Sequence, residues 1–214
     1  MKIYPSLISA DLLNLATVIK LLEPHCDGFH LDVMDNHFVP NLTWGPAFIN
    51  AIATVAKKTA HVHLMIDNPA AMLDRFTLPK DTIIAFHGQS TQNPRELIKK
   101  ITLKGWVASI ALSPALGIET IAELLPEVGE VLVMSVEPGF SGQKFMPAAL
   151  EKAAWLAEYR QQKSLDFTIV MDGGINAENI GQVRKAGVDG VAVAAGIFGT
   201  PDPIKALNTL KMTV

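Results

Sequence analysis

The sequence predicts an α/β protein of the (β/α)8 TIM-barrel class, with residues 1–214 forming one compact domain. Eight short apolar or β-branched runs alternate with longer segments in which apolar residues recur at helical spacing. Several of the short runs are almost continuously apolar, which is typical of strands whose two faces are both buried in a parallel sheet. No linker or low-complexity stretch separates these units. Together the three observations favour a single barrel, smaller than the typical one of about 250 residues.

The strands follow from the apolar runs. In the second, successive side chains alternate between faces, so His30, Asp32 and Met34 share one face while Phe29 and Leu31 lie on the other. The predicted strands are 2–8, 28–34, 60–66, 82–87, 106–112, 131–136, 167–172 and 190–194.

The helices are supported by signals at their ends. Asn176 stands at an N-cap position with Glu178 in the first turn, and Gly187 follows the last turn of the same helix. Pro147 and Pro203 stand as first-turn prolines, where a missing N–H costs nothing. The predicted helices are 13–24, 46–57, 69–76, 94–104, 118–125, 147–162, 177–186 and 203–212. A doubly wound open sheet is the alternative, but no Gly-x-Gly-x-x-Gly turn follows the first strand.

Composition excludes several classes of protein. A net charge of −3 argues against binding to nucleic acid or to an anionic membrane. The single cysteine, Cys26, excludes an intramolecular disulfide and fits a reducing compartment. No apolar run approaches the roughly 20 residues of a membrane span, and residues 1–5 do not resemble the start of a signal peptide. We therefore expect a cytoplasmic protein.

Polar side chains fall at the ends of three predicted strands. In a (β/α)8 barrel the active site lies at the C-terminal ends of the strands. The second strand brings His30 and Asp32 there, the third brings His63, and the seventh ends at Asp172. Two imidazoles and two carboxylates suit one divalent ion, and Zn²⁺, Fe²⁺, Mn²⁺ and Co²⁺ all remain open.

The other histidines are interpreted as structural. His61 shares a strand face with His63 but lies deeper, and His25, His37 and His87 are assigned the same role, with His37 also near the mouth. Met34, Met65 and Met134 point toward the mouth if the strand parity holds. There they would form an apolar collar that keeps water from a charged intermediate.

Glycines mark a candidate phosphate site. The turn 137–143 follows the sixth strand and contains Gly139 and Gly142, and Gly173 and Gly174 follow the seventh. Glycine lets backbone N–H groups converge on an anion, and loops near the last strands of such barrels commonly hold phosphate.

Five segments together closely resemble the ribulose-phosphate 3-epimerase family, and the resemblance runs essentially end to end. They are residues 5–11, 30–41, 62–65, 133–145 and 172–176. The resemblance implies a barrel that interconverts D-ribulose 5-phosphate and D-xylulose 5-phosphate with one divalent metal ion, as a homo-oligomer (dimer or hexamer). It implies metal ligation by His30, Asp32, His63 and Asp172, with Asp32 and Asp172 as the acid/base pair. The substrate contacts that it implies are Ser6, His63, Gly139, Phe140, Ser141, Gly142, Asp172, Gly173, Gly174, Ala194 and Ala195.

That chemistry explains the residue types. Inversion at carbon 3 needs a base on one face of the sugar and an acid on the other, and a cation stabilises the enediolate between the two proton transfers. Two carboxylates on one metal can take opposite protonation states and exchange them for the reverse reaction.

The chain departs from the family pattern at two places. Asn36 replaces a glycine, and asparagine tolerates left-handed backbone. Ala194 and Ala195 replace a Gly-Ser pair that contacts phosphate, so a hydroxyl is lost. A 3-epimerase of a related phosphorylated ketose, such as allulose 6-phosphate, is therefore an alternative. A non-catalytic sugar-phosphate-binding barrel and a metal-dependent aldolase are two others.

Overall fold

The structure, a computed structural model, describes residues 1–213 and is a (β/α)8 barrel. Its eight parallel strands follow one another in the order β1-β8-β7-β6-β5-β4-β3-β2. The strands are β1 (Lys2–Pro5), β2 (Gly28–Met34), β3 (Thr59–Met65), β4 (Ile83–His87), β5 (Val107–Leu112), β6 (Glu130–Met134), β7 (Thr168–Asp172) and β8 (Gly190–Val193). All eight predicted strands are present, and the predicted fold class is confirmed.

The register of the sheet sets which side chains stand level around the barrel. A bridge between Ser6 and His30 joins β1 to β2, so the barrel is nearly closed. Asp32 pairs with His63 across β2 and β3, and Met134 pairs with Asp172 across β6 and β7. Asp32, His63 and Asp172 therefore lie in the C-terminal halves of their strands, and His30 precedes Asp32 by two residues on the same strand face.

Seven α-helices accompany the strands within residues 1–213. They are α1 (Leu15–Leu22), α2 (Pro46–Val55), α3 (Pro94–Leu103), α4 (Ala148–Lys163), α5 (Ile180–Lys185), α6 (Ala195–Phe198) and α7 (Pro203–Thr213). Among the described residues, no helix combines the length and the apolar composition that a membrane span requires.

Two predicted α-helices are wrong. The segment 118–125 forms two 3-10 helices, Ile118–Thr120 and Ala122–Glu127, because Ile121 between them leaves helical backbone and Pro126 has no N–H to donate. The segment 69–76 also forms two 3-10 turns, Pro69–Ala71 and Leu73–Arg75. Segments this short gain few i to i+4 hydrogen bonds, and the tighter 3-10 turn is then common.

Smaller differences concern element ends. The predicted cap Asn176 accepts hydrogen bonds from the N–H groups of Glu178 and Asn179, but this turn precedes α5, which begins at Ile180. Pro147 likewise lies just before α4, whereas Pro203 is the first residue of α7. Each difference shifts a boundary and leaves the element in place.

The apolar core lies in two layers. The larger layer packs the outward faces of the strands against the helices and includes Phe29, Leu31 and Val33 of β2. A smaller one fills the barrel interior, with Leu132, Met134 and Val170 among its members. Because the interior is packed, polar side chains that point inward meet one another near the mouth instead of solvent.

Candidate active site

Four polar side chains converge at the C-terminal ends of β2, β3 and β7. His30 and Asp32 come from β2, His63 from β3 and Asp172 from the last position of β7. Each offers one ligand atom, and these atoms all lie within 4.8 Å of one another. The two histidines are fully buried and Asp32 nearly so, while Asp172 is partly open to the mouth.

Four distances within the cluster are close to those between ligands of one small ion. His30 Nε2 lies 3.0 Å from Asp32 Oδ1 and 3.6 Å from Asp172 Oδ2. His63 Nδ1 lies 3.4 Å and 3.8 Å from the same two oxygens. Ligands about 2.0–2.2 Å from a tetrahedral ion stand roughly 3.3–3.6 Å apart, so the four atoms are spaced as ligands of one ion would be.

An unpaired atom points to the same place. His63 Nδ1 is buried and has no hydrogen-bond partner among the described residues, although it faces both carboxylates. A buried imidazole nitrogen without a partner is costly. A divalent cation between these groups would satisfy it, so the residues fit the single divalent metal ion that the resemblance implies.

The two carboxyl groups have opposite electrostatic environments. Burial favours the neutral form of Asp32, but His30 and His63 outweigh it and hold the pKa of this carboxyl well below its ordinary value. Burial raises the pKa of Asp172 to about 6, with Asp32 acting in the same sense and His30 opposing it. Without an ion, Asp32 therefore stays ionised at neutral pH, while Asp172 takes up a proton only as the pH falls through about 6.

The histidines differ as well. Burial acts against a charge on His30, but Asp32 and Asp172 outweigh it and raise the pKa of this imidazole to about 9. Burial lowers the pKa of His63, with Asp32 opposing it. Without an ion, the positive charge of the cluster thus resides on His30.

Ser6 holds Asp32 in place. Its hydroxyl, buried at the end of β1, donates a 2.7 Å hydrogen bond to Asp32 Oδ2. Asp32 Oδ1 is thereby left to face the two histidines. Ser6 also lines the cavity above the cluster, so its predicted contact with the sugar is sterically possible.

A cavity of about 290 Å³ opens above the four side chains. Its wall includes Asp32, Asp172 and all three predicted methionines, Met34, Met65 and Met134. The methionines are almost fully buried, and two of them, Met34 and Met65, form a small apolar cluster with Val39. All three methionines therefore lie where the strand parity predicts, and their role as an apolar collar stays a prediction. His37 does not line this cavity; it contacts Asp35 in the β2–α2 loop.

The glycine-rich loops form the opposite wall. Gly139, Phe140, Ser141 and Gly142 line the cavity after β6, and Gly173 and Gly174 line it after β7. The Asn41 side-chain amide donates to the Gly139 carbonyl at 2.7 Å, which ties the β2–α2 loop to the first of these loops. The loop following the metal ligands is thus held against the loop expected to bind phosphate.

Gly174 is needed for both its backbone and its lack of a side chain. Its φ is +63°, and a Cβ at this position would lie 2.6 Å from the Phe145 backbone nitrogen. We expect Gly174→Ala to lower the free energy of unfolding by about 1–3 kcal/mol, measured by denaturant titration. Gly45→Ala is the matched control, because Gly45 has open space around it. Equal stabilities of the two variants would contradict the close approach.

The two departures from the family pattern have different consequences. Asn36 adopts left-handed backbone with φ +59°, as predicted. Ala194 has φ −98°, so an alanine there carries no left-handed strain. Ala195 is exposed at the start of α6 and lines the cavity without offering a hydroxyl.

Three buried residues behind the ligands were not recognised in the sequence as part of the site. His61 and His87, interpreted there as structural, contact the ligands: His30 Nδ1 lies 2.7 Å from His61 Nδ1, and His63 Nε2 lies 2.9 Å from His87 Nε2. Glu130, in turn, accepts from His61 across the barrel at 2.6 Å. The sequence did contain one signal. Glu130 is a charged residue at the start of an otherwise apolar strand, and it shares the inward face of that strand with Leu132 and Met134.

Comparisons with known proteins agree with this geometry. Residues 2–198 match the Ribulose-phosphate 3 epimerase family. The chain is 37% identical over 211 residues to the ribulose-phosphate 3-epimerase of Helicobacter pylori, covering 99% of this chain and 97% of that protein. It is also 37% identical to that of Methanocaldococcus jannaschii, covering 98% and 89%.

Solved structures with much lower identity share the fold. KGPDC from Streptococcus mutans in complex with D-R5P aligns with a TM-score of 0.71 at 13% identity, over 99% of this chain and 96% of that one. Phosphoribosyl anthranilate isomerase from Thermococcus kodakaraensis gives 0.65 at 16% identity, over 98% of each chain. These two support the barrel alone. The family match and the full-length relatives go further: the chain belongs to the ribulose-phosphate 3-epimerase family.

Proposed function

We propose that this protein interconverts D-ribulose 5-phosphate and D-xylulose 5-phosphate by moving the proton on carbon 3. The observation that carries the proposal is the convergence of two buried histidines with two unequal carboxyl groups, which themselves line one cavity. Family membership supports the reaction and the use of a divalent metal ion. His30, Asp32, His63 and Asp172 would hold that ion. When bound, it supplies Lewis-acid stabilisation of the enediolate oxygens.

Asp32 and Asp172 would move the proton. Asp32 stands on β2 and Asp172 on β7, and carbon 3 of the sugar would lie between them so that each carboxyl faces one side of the sugar. The ionised carboxyl takes the proton from carbon 3, and the protonated one returns a proton to the opposite face. Each turnover would have to start with one carboxyl charged and the other neutral, because one takes a proton and the other gives one. After each turnover the roles are exchanged, which serves the reverse reaction.

The remaining wall would hold the substrate and exclude water. Met34, Met65 and Met134 present an apolar surface next to the reacting carbons. The described residues that line the cavity include no lysine or arginine. A phosphate group there would therefore rely on backbone N–H groups of the 139–142 and 173–174 loops and of residues 194–195.

The missing hydroxyl at Ala195 gives a direct test of the phosphate site. We expect Ala195→Ser to lower KM for ribulose 5-phosphate several-fold, because one added hydrogen bond contributes about 0.5–1.5 kcal/mol. Steady-state kinetics measures the change, with Ala154→Ser on the exposed face of α4 as the control. An unchanged or higher KM in Ala195→Ser would contradict a phosphate contact at this position.

Four readouts separate this function from the alternatives. Metal-loaded protein should convert ribulose 5-phosphate and exchange its carbon-3 hydrogen with solvent deuterium. A larger kcat/KM on allulose 6-phosphate would favour the related-ketose epimerase, to which the Ala194–Ala195 pair lends support. Binding without exchange would favour a non-catalytic barrel, and release of a triose would favour an aldolase.

We also propose that residues 1–214 form one domain, acting in the cytoplasm as a homo-oligomer without a nucleic-acid partner. The net charge and the single buried cysteine support the compartment and the lack of nucleic acid. Large apolar side chains on the surface, such as Leu13 at 96% exposure and Leu42 at 69%, support an oligomer. Light scattering on the purified protein tests it.

A further inference from the structure

A line of three buried side chains extends from the metal cluster into the barrel. His30 turns Nε2 toward the carboxylates of Asp32 and Asp172, and its other nitrogen, Nδ1, lies 2.7 Å from Nδ1 of His61. His61 Nε2 then lies 2.6 Å from Glu130 Oε1. Both imidazoles are fully buried and Glu130 is 1% exposed. The line therefore has no access to solvent except through the cluster.

Hydrogen-bond chemistry gives this line a direction. An ionised carboxylate only accepts hydrogen bonds, so His61 must carry its proton on Nε2 to bond with Glu130. A neutral His61 then presents a bare Nδ1, which can only accept. His30 must consequently donate from Nδ1, so Nε2 is the nitrogen that would lose its proton and present a lone pair to a bound cation.

We propose that His61 and Glu130 are positioning residues that fix the tautomer and orientation of His30 for metal binding. This inference rests on the proposed function only in taking His30 as a metal ligand. Histidine ligands commonly donate their second N–H to an acceptor that orients the ring. Here the acceptor is another imidazole, whose own direction is set by a carboxylate from β6 on the other side of the barrel.

A comparison within the site supports a specific role for Glu130. His63 also contacts a second imidazole, His87, but that line ends at the Ser113 hydroxyl, 3.1 Å from His87 Nδ1. A hydroxyl both donates and accepts, so it imposes no direction. The line through His61 instead ends on a carboxylate. Burying a carboxylate costs several kcal/mol unless it is paired. A need to fill space would not explain a buried glutamate here, because an apolar side chain would pack without that cost.

The experiment measures Zn²⁺ affinity of the metal-stripped protein by competition with a chromophoric chelator. We expect His61→Leu to weaken binding by about 10–100-fold. His61→Gln should remain within roughly threefold of wild type, because its amide oxygen can accept from His30 while its NH₂ group donates to Glu130. Glu130→Gln should fall between them, and Glu151→Gln on the exposed start of α4 is the matched control. Thermal unfolding confirms that each variant is folded.

The outcomes distinguish the two proposals. A wild-type protein that bound no Zn²⁺ would overturn the metal site and this role together. Tight Zn²⁺ binding by wild type and by His61→Leu alike would overturn the positioning role alone. If His61→Leu does not fold, long-range ¹H–¹⁵N NMR of the Zn²⁺-loaded wild type decides. A proton on Nε2 of His61 is the expected result, and a proton on Nδ1 would overturn the inference.

Discussion

Replacing Asp172 by asparagine is expected to abolish proton exchange at carbon 3, with kcat/KM falling by about 10²–10⁴-fold. Asparagine keeps the size of the side chain and one oxygen, but it can neither hold nor release the proton. Asp172 is the group whose pKa burial raises to about 6, and it is the carboxyl that opens toward the cavity. Exchange of the carbon-3 hydrogen with deuterium, followed by NMR, measures the loss directly.

The same substitution also removes one predicted metal ligand, so the metal content of the variant must be measured alongside its rate. At metal concentrations that saturate Asp172→Asn, the rate should stay low if the carboxyl acts as acid and base. Asp166→Asn is the control, since Asp166 is exposed before the opposite end of β7. A saturated Asp172→Asn variant with the wild-type exchange rate would eliminate the two-carboxylate mechanism.

The strands were largely predictable because their signal is local. The predicted and observed bounds of β2, Gly28–Met34, coincide, since alternation of period two places His30 and Asp32 on one face whatever the rest of the chain does. The segment 118–125 was wrongly predicted as an α-helix because the prediction used only the spacing of its apolar residues. Apolar spacing does not reveal that the backbone of Ile121 departs from helical geometry between two short turns.

The site was predictable where parity and strand order decide it. The four candidate ligand positions followed from polar residues near the ends of three strands, and the structure brings those four side chains together. The line through His61 and Glu130 was not predictable in this way. These two residues are 69 positions apart and meet across the barrel interior, so their contact depends on barrel closure and side-chain length. Inward parity alone predicts that both are buried, but not that they pair.

Removal of the metal is expected to have an effect of similar size. Dialysis against a chelator should lower kcat at least about a hundredfold, because a bound cation contributes several kcal/mol of transition-state stabilisation. The reason is that, among the described residues lining the cavity, no lysine or arginine is available to neutralise an enediolate once the cation is gone. Stripped protein should also be less stable. When the concentration of free ion is about 100 times its Kd, binding adds roughly 2.7 kcal/mol to the free energy of unfolding.

Re-addition of different ions tests the donor set as well as the requirement. Two imidazole nitrogens and two carboxylate oxygens favour Zn²⁺, Fe²⁺, Mn²⁺ or Co²⁺, whereas Mg²⁺ prefers six oxygen ligands and retains its water. Activity and thermal stability should thus return together with ions of the first group, at one ion per chain, and return poorly with Mg²⁺. Stripped protein that retained full kcat in the presence of chelator would show that the four side chains act without a cation. Equal rescue by Mg²⁺ would show instead that the two imidazoles do not bind the ion, because nitrogen ligands are what separate these metals.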